Sequence, residues 1–167
     1  LPDLQFERIF TLLRWFLLTN LEEIEASHQL IYFLTTLSIH CFTNEYAYFE
    51  SDEESRLIAD LEVEISQTVA QSRQPVVLKL LCLACYRPLH LYYWCQDVRA
   101  LDHLEGVRQR LIEEPLLEKK IEKNIPGLAE ISDRVSRKVR EQYEENPFPR
   151  WVRLGIYARA KSVAEVC

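Results

Sequence analysis

The residues of this sequence best equipped for chemistry are its cysteines, and two of them, Cys82 and Cys85, form a C-x-x-C with His90 and Cys95 downstream. Four such donors could in principle hold zinc. The pair falls inside an apolar stretch, residues 76–86, with no second paired motif and no knuckle-like loop, so buried thiols are the better reading. A thioredoxin-like redox role would need a βαβ pattern around the pair, and none is visible. His28, His40, His90 and His103 are scattered and read as packing or surface histidines. The acidic run Glu50, Asp52, Glu53 and Glu54 could attract a cation, but it coincides with a helix start, where acids favour the macrodipole.

A second kind of chemistry is excluded by glycine. Class I methyltransferases, dehydrogenases and P-loop enzymes bring backbone against a cofactor through two or three closely spaced glycines. This chain of 167 residues has only Gly106, Gly127 and Gly155, so no cofactor-binding, catalytic or metal site is assigned within it. Eight basic against four acidic side chains over residues 134–167 raise the question of nucleic acid. The overall charge of −6 and the interspersed Glu141, Glu144 and Glu145 argue instead for a solvated helix face or an interdomain contact. The opposite end is acidic, with 13 acidic and four basic residues over 1–74.

The segment with the most unusual composition is residues 143–151. Tyr143, Phe148 and Trp151 are apolar anchors set among Glu144, Glu145, Asn146 and Arg150, with Pro147 and Pro149 stiffening the backbone. A recognition loop has that make-up. A helix stop whose aromatics plug a neighbouring core has it equally, and composition does not separate the two.

Helices must carry these residues, because glycine is too scarce for a chain of hairpins and the apolar fraction of 48% supports a packed core. The expected class is all-α, an irregular bundle of about six to eight helices. Three-and-four spacing of Leu4, Ile9, Leu12, Leu13, Phe16 and Leu17 predicts a first helix buried on that stripe. Asn20 with Glu23 has capping-box spacing and predicts a long second helix to about Phe42. Ser51 with Glu54 predicts a third helix to about Ser72. Pro75 in a first turn predicts a fourth, apolar on nearly every side except at Lys79 and stopped before Pro88, which makes it the central one. Residues 88–101 fit either an aromatic-packed loop or a short helical turn. Asp102 with Glu105 predicts two short helices, over residues 104–112 and 115–123, and Pro126 and Gly127 break the chain. A charged helix follows over residues 132–145, ended by Asn146-Pro147. Residues 1–146 are thus expected to form a helical domain and 147–167 a proline-aromatic connector. The absence of Met, and of a signal peptide or an apolar run of about 20 residues, points to a piece of a longer cytoplasmic protein without a membrane span.

The sequence around residues 139–151, Val-Arg-Glu-Gln-Tyr-Glu-Glu-Asn-Pro-Phe-Pro-Arg-Trp, resembles a signature of bacterial proteins that join tetratricopeptide repeats to a class I S-adenosylmethionine-dependent methyltransferase domain. Cys41-Phe42-Thr43-Asn44-Glu45-Tyr46 and Cys85-Tyr86-Arg87-Pro88-Leu89 are similar to two further elements of the helical region that precedes that domain. The resemblance spans about residues 35–155, with Phe148 where the pattern usually has Tyr. It implies a non-catalytic helical linker placed just upstream of a catalytic domain absent from this chain. S-adenosylmethionine would be the cofactor of the full-length protein, and this segment's partners would be its own methyltransferase domain, the repeats, and a polypeptide substrate. Tyr143, Glu144, Glu145, Asn146, Phe148, Arg150 and Trp151 would be the docking or substrate-entrance residues. A protein-interaction module that recruits a polypeptide through the acidic N-terminal helices is the alternative.

Overall fold

The computed structural model describes residues 4–124 and 137–139. The described residues are helical, with no strand among them: α1 is Leu4–Thr19, α2 His28–Thr43, α3 Asp52–Ala70, α4 Val77–Ala84, α5 Glu105–Arg108 and α6 Glu114–Glu122. Residues 4–124 belong to one compact unit, Leu1–Glu130. Within the second unit, Ile131–Cys167, residues 137–139 are helical.

The bundle is assembled around α4. Every residue of this short helix except Val77 and Lys79 is buried, and α1, α2 and α3 all pack on it. Lys79 is the helix's single charge, and it reaches Glu22 at 2.6 Å and Glu64 at 2.7 Å. The rest of the core comes from Leu34, Leu37 and Phe42 of α2, Ile58, Leu61 and Ile65 of α3, and Val107, Leu111 and Ile112 further along the chain.

Helix ends explain most differences from the sequence expectations. Asn20 does not start α2: its side-chain amide donates to the Phe16 carbonyl at 2.8 Å and closes α1. The cap of α2 is Ser27, whose hydroxyl accepts from the Leu30 N–H, so α2 begins eight residues after Asn20. At α3 the capping box forms as expected. Pro75 stands outside α4, which Val76 precedes in extended conformation. Residues 88–101 resolve into two 3₁₀ turns, Leu89–Leu91 and Arg99–Leu101, the second pinned by Gln74 Oε1, which accepts from the Arg99 and Ala100 N–H groups. Asp102 is not the N-cap of α5, a place taken by Leu104, but an ion-pair partner of Arg108 at 2.7 Å. The two short helices expected around Pro115 are joined by a π-helical turn, Gln109–Glu113, into one continuous helical segment. Pro115 has no N–H to offer the Leu111 carbonyl, and widening the turn before it lets the helix run through.

The face that α1 buries also differs. Arg14, Leu17 and Leu18 point inward with Phe10 partly covered, whereas Ile9, Leu12 and Phe16 of the expected stripe are exposed, together with Phe6 and Trp15. Both faces of this helix have helical spacing, and the arginine diverts the reading from the true inner face.

Candidate functional site

Two of the short sequence elements singled out above, residues 41–46 and 85–89, are far apart in the chain and meet in the structure. They meet through α2 and α4, the first supplying Cys41 near its C-terminal end and the second supplying Cys85 as its C-cap. Both cysteines are buried where α2 and α4 pack together. Phe42 lies edge-on to His90, just past the second element, with ring centroids 6.0 Å apart.

The chain leaves α2 by a tight left-handed turn. The Tyr46 N–H returns to the Cys41 carbonyl at 2.9 Å and the Glu45 N–H to Phe42 at 3.1 Å, the pattern with which glycine usually ends a helix. Here Glu45 and Tyr46 occupy it at φ 52° and 55°, costing about 1–2 kcal/mol each. Non-glycine residues persist in such a conformation when the surroundings over-determine it. The turn carries Tyr48 back over α2, where its hydroxyl lies 2.6 Å from His40 Nε2 and accepts from the Asn44 amide at 3.2 Å. With Nε2 as the acceptor, His40 is neutral, in keeping with the burial that lowers its pKa.

Arg14 enters this junction from α1 and is 2% exposed. Its guanidinium carbon sits 4.0 Å from the Tyr86 ring centroid and 5.0 Å from that of Tyr48. Its Nε and Nη1 find no hydrogen-bond partner. A buried guanidinium held by two aromatic faces rather than by a carboxylate fork is unusual, since cation–π contacts replace only part of its hydration. The nearest buried anion is reached through Tyr86, whose hydroxyl donates to Glu54 Oε1 at 2.8 Å. Glu54, 3% exposed, is the same residue that closes the α3 capping box through Ser51. Burial and the hydrogen bond to Glu54 push the Tyr86 hydroxyl far above its ordinary range, so it acts only as a donor.

A second layer surrounds this core. Arg87 forks onto Glu50 with two hydrogen bonds of 2.7 Å, which hold the Glu50 carboxyl below its usual value, and its Nε lies 3.8 Å from Glu62. Glu62 in turn accepts from the Tyr92 hydroxyl, and Tyr92 stacks on the buried Trp94 with centroids 4.7 Å apart. The acidic run is therefore divided: Glu50 belongs to Arg87, Glu54 to Tyr86 and the cap, and Asp52 and Glu53 to the exposed first turn of α3.

The thiols follow the same logic. Cys41 is pulled below the usual thiol value by the hydrogen bond from Cys85 and by Arg14, against its burial, whereas Cys85 is pushed well above it by burial and by Cys41. Burial pushes Cys82 up to about 12. The C-x-x-C pair therefore does not converge with His90 and Cys95 on a common point. Cys95 Sγ lies 3.9 Å from the His90 carbonyl. Among the described residues no group of three or more His, Cys, Asp or Glu is arranged to hold a metal ion.

Surface grooves among the described residues lie elsewhere. One of about 370 Å³ runs between α3 and the start of α4 beside Gln71, Gln74 and Lys79, and one of about 540 Å³ lies on α2 by His28, Tyr32, Thr35 and Leu104. Neither touches the Arg14 cluster. The sequence-predicted docking residues Tyr143, Glu144, Glu145, Asn146, Phe148, Arg150 and Trp151 lie outside the described residues. Sequence reasoning missed Arg14, Tyr48 and Glu54 as members of a site; the only signal for the cluster was the pair of short elements, which give its two walls. No protein-family model, curated protein or solved structure matches the chain.

Proposed function

We propose that this chain is a non-catalytic helical positioning domain of a cytoplasmic S-adenosylmethionine-dependent methyltransferase. In this reading S-adenosylmethionine and the chemistry belong to a catalytic domain that follows, tetratricopeptide repeats precede, and residues 143–151 dock onto the catalytic fold. The observation that carries it is the convergence of residues 41–46 and 85–89 on one closed cluster. Those elements accompany the 143–151 signature in the proteins the sequence resembles, and here their polar side chains are spent within the bundle: Tyr86 on Glu54, Arg87 on Glu50, Asn44 on Tyr48. Such a cluster fixes the mutual placement of α1, α2, α3 and α4, which is what a domain that positions its neighbours requires.

The test is methyl transfer by the full-length enzyme carrying Tyr143→Ala and Trp151→Ala. A fall in turnover, with the helical bundle still folded by circular dichroism, is expected. Wild-type turnover together with wild-type stability would overturn the docking role.

The exposed apolar face of α1 supports a second reading, an interaction module that recruits a polypeptide. Phe6, Ile9, Leu12, Trp15 and Phe16 lie exposed on a single helix, an arrangement that marks interaction sites. Saturable capture of a polypeptide other than the catalytic domain, lost on Leu12→Glu, would favour it.

A further inference from the structure

Helix α1 is apolar on two sides. Its inner side, with Leu17 and Leu18 around Arg14, is spent on the bundle, whereas Phe6, Ile9, Leu12, Trp15 and Phe16 are between 43% and 63% exposed. The other helices expose far less large apolar surface: Tyr32 on α2, Val63 on α3, and Leu117 and Ile121 on α6. Ile9, Leu12 and Phe16 follow one another at three and four residues and fall on one line opposite Arg14, with Phe6 and Trp15 flanking it on either side. That spacing is the seam of a helix pair. Neither surface groove includes a residue of α1, so the face is a ridge, which suits a second helix and not a small molecule.

We propose that this face is a two-fold interface between copies of the chain, with α1 of one packed antiparallel on α1 of the other. Area supports a second copy as the occupant. With half of each of the five side chains exposed, and about 150–250 Å² for an aromatic one, the face offers on the order of 500 Å² per copy. Two copies then bury on the order of 1,000 Å² from these residues alone, and the flanking polar side chains bring the total to the lower end of specific interfaces, about 1,200 Å². A patch of this size is at the upper end of what a monomer leaves open. Charge agrees with it as well. The exposed charges on α1 are Glu7 and Arg8, which cancel, so the repulsion of a chain of net charge −6 is not concentrated on this helix. A parallel pair would set Arg8 beside Arg8 and Glu7 beside Glu7. An antiparallel pair instead turns each Arg8 toward the C-terminal, negative end of the other α1. A two-fold axis at Leu12–Leu13 sets Ile9 opposite Phe16 and Gln5 opposite Asn20, so apolar meets apolar, polar meets polar, and the patch is closed by its own copy. The helix is already ordered on α3 and α4, so association does not bear the cost of folding it. The interface is independent of the docking role of residues 143–151 and gives the α1 face a different occupant from the recruitment reading.

Sedimentation equilibrium of the purified chain, up to about 100 μM, tests the proposal. The expected result is a concentration-dependent rise to twice the monomer mass. Leu12→Glu and Phe16→Glu, both at exposed positions, should each weaken association at least tenfold with the helical circular dichroism signal kept. Tyr32→Glu, an equally apolar loss on α2, should leave association unchanged. A chain monomeric throughout that range would overturn the proposal, and one that stays monomeric yet captures another polypeptide through Leu12 would assign the face to recruitment. A dimer indifferent to both α1 substitutions would overturn it too. Should the glutamate variants fail to fold, cross-linking decides: in a Cys167→Ser background, Leu12→Cys should give a covalent dimer under mild oxidation and Tyr32→Cys should not. The reverse pattern, or no covalent dimer from Leu12→Cys, would refute the antiparallel pairing.

Discussion

Removing one oxygen atom from Tyr86 probes the buried cluster with little change to its shape. In Tyr86→Phe the ring stays, so its contact with Arg14 at 4.0 Å and its packing are kept, and only the 2.8 Å hydrogen bond to Glu54 is lost. Glu54 Oε1 is then left without this donor in a place water does not reach, because the residue is 3% exposed. A hydrogen bond to a charged group contributes about 1.5–3 kcal/mol, and abandoning a buried acceptor costs the upper part of that range. The expected loss is therefore about 2–3 kcal/mol, or about 4–12 °C in the unfolding midpoint for a chain of this size. Tyr92→Phe is the internal control. It removes the same group from the same type of partner, but the Glu62 side chain is 32% exposed and water can replace the donor, so about 1 kcal/mol or less is expected. Urea denaturation of the two variants side by side gives both numbers. A Tyr86→Phe loss no greater than that of Tyr92→Phe would refute the claim that the cluster is closed to solvent.

Other consequences can be checked on the same protein. Ser72 ends α3 at φ 57°, with its N–H on Val69 and the next N–H on Thr68, so Ser72→Gly should relieve left-handed strain and stabilise by about 1 kcal/mol in a urea titration. Glu50 is held by Arg87 below its ordinary carboxyl value of 4.5, so the pair contributes stability that is fully present above that pH and is lost as pH falls through the lower, folded value. Measured against Glu50→Gln, the wild-type advantage should be present at about pH 7 and shrink as pH falls below 4.5, and an advantage that grew on acidification would reverse the assignment.

The helical class was readable because it depends on composition and on caps. Three glycines and a capping box at Ser51–Glu54 dictate local geometry that tertiary packing does not change, and α3 forms where expected. Asn20 misleads because an asparagine followed three residues later by a glutamate fits two roles, N-cap of the next helix or closure of the last. Only the distance from its amide to the Phe16 carbonyl separates them. Pro115 shows a different limit: its missing N–H marks an interruption, but a π-helical turn absorbs the defect without ending the helix. The inner face of α1 was hidden because its central residue is an arginine, and a buried charge becomes legible only when Tyr48 and Tyr86 are seen on either side of it. Likewise the buried-thiol reading of Cys82 and Cys85 follows from the apolar stretch that holds them, whereas the influence of Cys41, 44 positions earlier, on Cys85 arises only from the packing of α2 on α4.

The positioning role is tested most directly by isothermal titration of this chain with the catalytic domain expected to follow it, in parallel with a titration against S-adenosylmethionine alone. The account predicts a saturable complex with the catalytic domain that is weakened at least tenfold, about 1.4 kcal/mol, by Tyr143→Ala with Trp151→Ala, and no binding heat with the cofactor. Saturable binding of S-adenosylmethionine to this chain, or a complex indifferent to both substitutions, would contradict it.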